Sequence, residues 1–311
     1  MKDARAAIEL HGVVKRFGAG VIAFGDLSFS VQSGEIVTIV GPSGCGKTTM
    51  LRLIAGFERA DAGVIAIDGR VVDDGRAHVP PETRAVGFVF QDYALFPYLT
   101  VSANIEFGLR KMRAPARRDR LEAVIRLCEL EGLGHRYPHE LSGGQQQRTA
   151  LARALAPGSK VVLLDEPLSN LDAALRRTMR GELRQMLREA GATALVVTHD
   201  QHEALEIADR VLVLQHGRLE QIGTPYDVYT APASRFVASF IGESNIVPGV
   251  VRFDGVATEL GVVRCEPACS AGSAVDVLLR PSQLCLEPRP DGCAVLVSCA
   301  FAGTHATATV R

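Results

Sequence analysis

The sequence predicts an α/β protein: a parallel-stranded core with a helical insertion, followed by a small β domain. Three observations carry this. Apolar runs of strand length at Glu35–Val40, Val161–Leu164 and Ala194–Val197 are rich in Val, Ile and Leu, as buried parallel strands are. Residues from about 100 to 155 read mainly helical, with Leu121, Val124, Ile125 and Cys128 spaced on one face. After about Phe236 the pattern turns to short β-rich runs separated by Gly, Pro and Asp. A length of 311 residues favours two domains, and 47% hydrophobic residues suffice for real cores.

Residues 1–90 read as short strands alternating with one long helix. The strand Glu35–Val40 leads into Gly41-Pro42-Ser43-Gly44-Cys45-Gly46-Lys47-Thr48-Thr49, and a helix pattern follows through Ala55. This is the G-x-x-x-x-G-K-[ST] phosphate loop in its strand–loop–helix setting. The glycines let backbone N–H groups curl around phosphate oxygens. Lys47 is placed to reach the β- and γ-phosphates, and the Thr48 hydroxyl to ligate Mg²⁺. The chain has five lysines against 29 arginines and still places one here. Cys45 reads as structural, although its oxidation or alkylation would block nucleotide entry.

The run Val161–Leu164 ends in Asp165-Glu166-Pro167. Carboxylates at the C-terminal edge of a parallel strand lie where open α/β sheets bind ligands. Asp165 can hold Mg²⁺ through water, and Glu166 can polarise an attacking water as general base. A strand followed by a solvated acidic turn is the bland alternative, weakened by the phosphate loop. The run Ala194–Val197 ends in Thr198-His199; His199 is either a structural strand end or a bridge between the γ-phosphate and the water. The helix from about Ala173 to Glu189 buries Leu175, Met179, Leu183, Met186 and Leu187.

A second glycine-rich element, Leu141-Ser142-Gly143-Gly144-Gln145, opens the helix that runs to Leu155. Ser142 is a good N-cap, and the glycines keep the approach to the helix start open. A helix N-terminus offers unsatisfied N–H groups and the positive dipole end, which suits a phosphate. The chain thus carries two anion sites where one nucleotide does not obviously need both.

From about Ile8 to about Gly223 these motifs, in this order, resemble the ATP-binding subunit of an ABC transporter, a P-loop NTPase with a helical signature subdomain. The resemblance implies ATP and Mg²⁺ as ligands. It identifies Gln91, in Val89-Phe90-Gln91-Asp92, as a Q-loop glutamine sensing Mg²⁺ and the γ-phosphate. Ser169-Asn170-Leu171-Asp172 is similar to a D-loop crossing a dimer interface. Phe17 sits where the family stacks an aromatic under adenine; Tyr or Trp is usual there, and a core phenylalanine is the competing reading. The family pairs two such domains head to tail, so each ATP lies between one phosphate loop and the partner's Ser142–Gln145 helix. That requires a second copy of the chain or a paralogous ATPase. The stretch Tyr93–Val101 resembles the surface that receives a permease; core packing between two lobes is its alternative.

The resemblance divides the chain into an ABC ATPase domain over 1–235, with the signature subdomain at about 95–157, and a small barrel-like domain over 236–311. Runs at Ile246–Phe253, Val256–Cys265, Ala274–Leu279, Ala294–Ala300 and Thr304–Arg311, with Phe240–Asn245 and Leu279-Arg280-Pro281, resemble the OB-like TOBE domain of importer ATPases. Its last β-repeat reads as cut short at Arg311.

Net charge is −1, so no global basic field favours nucleic acid. The most basic stretch, Arg110–Arg113 with Arg117-Arg118-Asp119-Arg120, contains Pro115 and no aromatic, and reads as a solvated linker before a helix. No apolar run reaches the ~18 residues of a membrane span and no signal-peptide core opens the chain. Seven irregularly spaced cysteines fit a reducing compartment. Cys265 with Cys269, or His135 with His139, lack the further ligands a metal site needs. A peripheral subunit on the cytoplasmic face of the inner membrane is expected, with two permease subunits and a solute-binding protein as partners. Stretches such as Arg136–Glu140 and Ala55–Glu58 look most similar to ferric-iron import ATPases, with polyamine, sulfate/molybdate and sugar importers next. Soluble ABC ATPases of chromosomes or ribosomes need a long coiled coil or two cores in one chain, and neither is present. A purely regulatory module would have a defective site, whereas every catalytic position is filled.

Overall fold

The computed structural model describes residues 6–18, 20–110, 112–265, 269–285, 294–301 and 306–310. Lys111 of the basic stretch, and Thr304, His305 and Arg311 of the last expected β-run, lie outside the described residues. The chain divides into two compact units between Val237 and Ala238.

The larger unit opens with β1 (Ala6–Phe17) and β2 (Val21–Gln32), then β3 (Ile36–Val40), α1 (Lys47–Ala55), β4 (Ala62–Ile67), β5 (Arg70–Asp73) and β6 (Val86–Val89). The helical insertion holds α2 (Val101–Glu106), α3 (Ala114–Leu127) and α4 (Gly143–Leu155). There follow β7 (Val161–Asp165), α5 (Ala173–Glu189), β8 (Thr193–Val197), α6 (Gln201–Ile207), β9 (Arg210–Gln215), β10 (Arg218–Gly223) and α7 (Pro225–Thr230), while the boundary falls within α8 (Arg235–Phe240). Two sheets result. The order β10-β9-β3-β8-β7-β6 is parallel except at β10, and β2-β1-β4-β5 is antiparallel. The strands β3, β7 and β8 are buried at every position, which is why their sequences show no alternation.

Two expectations for residues 1–90 need correction. The first two strands are not short: each has 12 residues. Register shifts between them, one around Gly12, break the period-two pattern that would have announced their length. The helix is not long: α1 has nine residues and stops at Gly56, in the left-handed region at φ 88, whose N–H bonds to the Arg52 and Leu53 carbonyls.

The basic stretch also differs from a solvated linker. Pro115 lies in the first turn of α3, so Arg117–Arg120 are helical. Arg120 donates to the Leu155 and Ala156 carbonyls at 2.7 and 2.9 Å, closing the end of α4. By contrast, α5 spans the expected residues, buries Met179, Leu183, Met186 and Leu187, and leaves Leu175 half-buried.

In the smaller unit β11 (Asn245–Arg252), β12 (Gly255–Thr258), β13 (Gly261–Val263) and β14 (Ala274–Leu279) form an antiparallel sheet in the order β13-β12-β11-β14. The expected run Val256–Cys265 is thus two strands, broken by a turn at Glu259-Leu260. Along β11 the residues Val247, Gly249 and Val251 are buried and alternate with exposed neighbours. Arg280, after β14, donates to the Ala238, Gly242 and Glu243 carbonyls at 3.1, 3.4 and 3.1 Å. A separate hairpin pairs β15 (Leu296–Phe301) with β16 (Ala306–Val310).

Candidate active site

The loop Gly41–Thr49 joins the C-terminal end of central β3 to α1. A Cβ on Gly41 would lie 2.2 Å from the Leu214 carbonyl oxygen, so the loop starts against backbone with no room for a side chain. Gly46 has φ 105, and a Cβ there would meet the Phe24 ring at 2.7 Å. Lys47 is buried, and its ammonium donates to the Gly41 and Pro42 carbonyls at 2.8 and 3.0 Å. The charge is therefore held across the mouth of the loop. Cys45 is buried 3.9 Å from that ammonium, and burial pushes its thiol pKa up.

Thr48 faces Asp165: its hydroxyl donates to the carboxylate at 3.1 Å. Burial pushes the Asp165 pKa up; the Thr48 bond opposes this and neighbouring Glu166 adds to it. A hydroxyl beside a desolvated carboxylate is an all-oxygen donor set for a hard divalent cation, and Mg²⁺ fits it.

One residue further on, Glu166 adopts the left-handed region at φ 47, and its N–H bonds to the Val197 carbonyl at 3.0 Å. A non-glycine residue in that region marks a strained position. The turn swings the carboxylate between two loops. Glu166 Oε2 accepts from Gln91 Nε2 at 3.2 Å and lies 3.2 Å from His199 Nδ1. Three expected residues from three separate strand ends therefore meet at one oxygen. Asn170 joins them, donating to the Gln91 carbonyl at 2.7 Å. The sequence carried no signal for that contact beyond Asn170 lying in the D-loop-like segment.

Ser142 caps α4 as expected. Its hydroxyl accepts from the Gln145 N–H at 3.4 Å, and the Gln145 side chain accepts from the Ser142 N–H at 3.0 Å. The glycines do more than keep the approach open. A Cβ on Gly143 would lie 2.9 Å from Leu171 Cδ2, and one on Gly144 3.4 Å from Met179 Sδ. Among the described residues no hydrogen bond or ion pair joins Ser142–Gln145 to Gly41–Thr49 within the chain. Ser142, at the start of that helix, is exposed.

With this geometry the comparisons are decisive. The ABC transporter family matches residues 24–169. The spermidine/putrescine import ATP-binding protein PotA of Nitratidesulfovibrio vulgaris is 46% identical over 308 residues, covering 94% of this chain and 82% of the relative. The Fe(3+) ions import ATP-binding protein FbpC of Pseudomonas fluorescens is 46% identical over 310 residues, covering 98% and 87%. The chain belongs to the ABC transporter family, among its import ATP-binding proteins. A dimeric ATP-binding cassette in a post-hydrolysis state bound to ADP and Pi is similar in structure. Its TM-score is 0.61 at 33% identity, over 70% of this chain and 98% of that one. The ABC ATPase family binds ATP, and the fold is that of a P-loop NTPase cassette.

The remaining expected positions of this ABC ATPase lie on other elements. Phe17 ends β1, is 37% exposed, and carries the Lys15 ammonium 4.8 Å from its ring centre, so it is not a core residue. Asp172 caps α5, accepting from the Ala174 and Leu175 N–H groups at 3.1 and 3.0 Å. The stretch after Gln91 is mixed. Tyr93 is buried, whereas Tyr98 is 72% exposed and Phe107 of the following turn 40%. Phe96 packs between Tyr98 and Phe107, with ring centres 6.0 and 4.6 Å away. Buried Asn104 fixes this loop: its amide accepts from the Phe96 N–H at 2.9 Å and donates to the Phe96, Leu99 and Thr100 carbonyls at 3.1, 2.9 and 3.1 Å. Among the described residues no helix is long and apolar enough to cross a membrane.

Proposed function

We propose that the chain is the ATP-hydrolysing subunit of an ABC importer, with residues 1–235 as its ATPase domain and 236–311 as a TOBE-like domain. The observation that carries this is the shared Glu166 oxygen, held by Gln91 and His199 beside the Thr48–Asp165 pair. Gly41–Thr49 cradle the phosphates through backbone N–H groups, and Phe17 stacks on the adenine. Lys47 leaves its carbonyl partners for the phosphate charge. Thr48, Asp165 and Gln91 hold Mg²⁺, which when bound neutralises phosphate charge. Glu166 takes a proton from the attacking water, and His199 holds the γ-phosphate side of the site. Ser142–Gln145 and Asp172 of a second copy complete the site head to tail; closing a helix N-terminus over the phosphate adds charge stabilisation and excludes water. The exposed Ser142 at the start of the signature helix and the dimeric cassette of similar structure support this arrangement.

The Phe96–Tyr98–Phe107 cluster, in which Tyr98 and Phe107 are exposed, supports docking of two permease subunits along Gln91–Val101, so the chain works peripherally on the cytoplasmic face of the inner membrane. A solute-binding protein would deliver cargo. For that cargo we favour Fe(3+), in line with the FbpC relative; the equally similar PotA relative makes polyamine the second reading, and sulfate/molybdate or sugar remain beyond it. Glu166→Gln tests the mechanism: it should bind ATP, trap a closed dimer by size-exclusion chromatography, and lose hydrolysis. Normal ATP turnover by this variant would refute the assignment of the base. Uptake of labelled Fe(3+) against labelled spermidine by the assembled transporter decides the cargo.

A further inference from the structure

One guanidinium grips the segment that leaves Glu166 and reaches the residue that follows His199. Arg176 lies one turn into α5, and helical side chains tilt back toward their own N-terminus, here toward residues 168–171. Its Nε donates to the Leu168 carbonyl at 3.2 Å, and its Nη2 to the Ser169 and Leu171 carbonyls at 3.4 and 2.9 Å. Its Nη1 lies 3.8 Å from Asp200 Oδ2. Asp200 follows His199 and caps α6. Arg180, one turn further along α5, donates to the same Asp200 oxygen at 3.1 Å.

A ring of contacts closes through Arg176. From Glu166 the chain runs to Leu168–Leu171, the guanidinium spans to Asp200, and His199 returns to within 3.2 Å of Glu166 Oε2. A second arm leaves the same segment. Asn170 donates to the Gln91 carbonyl at 2.7 Å, and Gln91 Nε2 donates to that same Glu166 oxygen at 3.2 Å. Both groups that hold the carboxylate are therefore tied to backbone that Arg176 binds, one through Asp200 and one through Asn170. Helix stability does not call for an arginine here. A cation near a helix N-terminus opposes the macrodipole, and Asp172 already caps the Ala174 and Leu175 N–H groups. Three diverging carbonyls and a carboxylate do call for one, because a guanidinium presents five donors in a fixed fork.

Resting on the reading of Glu166 as base, we propose that Arg176 is a positioning residue for hydrolysis: by fixing Leu168–Leu171 beside Asp200, it sets Gln91 and His199 in register around the Glu166 carboxylate. It touches no reacting atom and acts through the two loops. The same helix supplies a control. Arg184, two turns further on, donates to the Glu206 and Ala208 carbonyls at 2.9 and 3.4 Å and to Asp209 at 3.3 Å, away from Glu166 and both of its partners.

The test uses the purified full chain with MgATP and the variants Arg176→Met, Arg176→Lys, Arg184→Met and Glu166→Gln, with turnover measured per folded molecule. Arg176→Met keeps the apolar stem and removes the fork. Its kcat should fall at least about tenfold, the worth of one hydrogen bond to a charged group, while its affinity for a non-hydrolysable ATP analogue stays within about twofold of the parent. Arg176→Lys keeps the charge beside Asp200 and should recover part of the rate; if the Met variant does not fold, the Lys variant carries the same test with a smaller loss. Arg184→Met should lower the melting temperature and leave kcat within about twofold of the parent. Parental kcat in the Arg176 variants overturns the proposal. So does a fall in analogue affinity as large as the fall in kcat, or an equal loss of kcat in Arg184→Met. Hydrolysis surviving in Glu166→Gln would instead sink the reading of the base. An inactive Glu166→Gln beside fully active Arg176 variants removes only the positioning role.

Discussion

Replacing Arg84 should weaken the phosphate loop from its far side. Arg84 is wholly buried, and its guanidinium holds the last turn of α1. It donates to the Leu53 and Ile54 carbonyls at 2.7 and 2.9 Å, to Val79 at 2.7 Å and to Val72 at 3.3 Å. Asp73 lies 3.7 Å away, bonded in turn to His78, whose other ring nitrogen contacts the Gly56 carbonyl at 3.1 Å. Burial pulls the guanidinium pKa down while Asp73 opposes it, so the guanidinium sits desolvated beside its carboxylate partner. Arg84→Ala strands the Asp73 charge and at least two helix-end carbonyls. Breaking a buried pair of this kind costs about 3–5 kcal/mol. That is a large share of the ~5–15 kcal/mol that holds a domain folded. Arg84→Lys should fall between, because a point charge cannot reproduce four divergent donors. Arg84→Met with Asp73→Asn should recover part of the loss by leaving no lone charge. The assay is the urea midpoint of the full chain, alongside titration with a non-hydrolysable ATP analogue, since Lys47 opens the same helix. A cost below about 1 kcal/mol for Arg84→Ala, within the range of one ordinary hydrogen bond, would refute the anchoring argument. So would a Lys variant as stable as the parent.

Two further outcomes follow from the same geometry. Ser142→Arg should leave analogue binding at Lys47 nearly intact and abolish dimer closure and hydrolysis, read by equilibrium binding against turnover; loss of binding in parallel would contradict a signature that acts on the partner's nucleotide. Glu203 is raised by burial from the ordinary 4.5 to about 7, so the stability tied to its protonated form is full below pH 4.5 and lost as pH rises through about 7. The linkage is worth roughly 3 kcal/mol at most; Glu203→Gln should flatten that part of the melting-temperature profile, and an unchanged slope would count against the burial argument.

The elements legible from sequence share a physical cause. The strands β3, β7 and β8 are continuous apolar runs because both faces are covered, and each leads into a segment that carries expected site residues. The boundaries of α5 follow from Asp172 as N-cap and a 3.6-residue apolar period. What stayed hidden was polar and inside. Arg84, Asn104, Arg120 and Glu203 read as surface residues in any hydropathy pattern, yet each closes a helix end, a loop or a strand end by bonds to backbone or side chains. Leu53 and Leu155 lie 31 and 35 residues from Arg84 and Arg120, whereas Leu99 and Thr198 lie five residues before Asn104 and Glu203, a spacing that by itself announces no hydrogen bond. The residues proposed for catalysis were easier because their motifs are local, although the meeting of Gln91, Glu166 and His199 at one oxygen is a tertiary fact.

The signature shows how two demands can hide in one motif. Read alone, its glycines open a helix N-terminus to a phosphate. In the fold they also sit under the D-loop-like segment and α5, where a methyl on Gly143 would displace the tip of the Leu171 side chain and one on Gly144 would reach van der Waals contact with Met179. A variant at Gly143 therefore changes packing as well as the approach to the helix start, so it separates the ligand's requirement from that of the fold less cleanly than one at Ser142. Ser142 is exposed, and its loss as a cap costs only about 1 kcal/mol. A large effect at Ser142 on hydrolysis, with the fold intact, can therefore come only from what binds at the helix start.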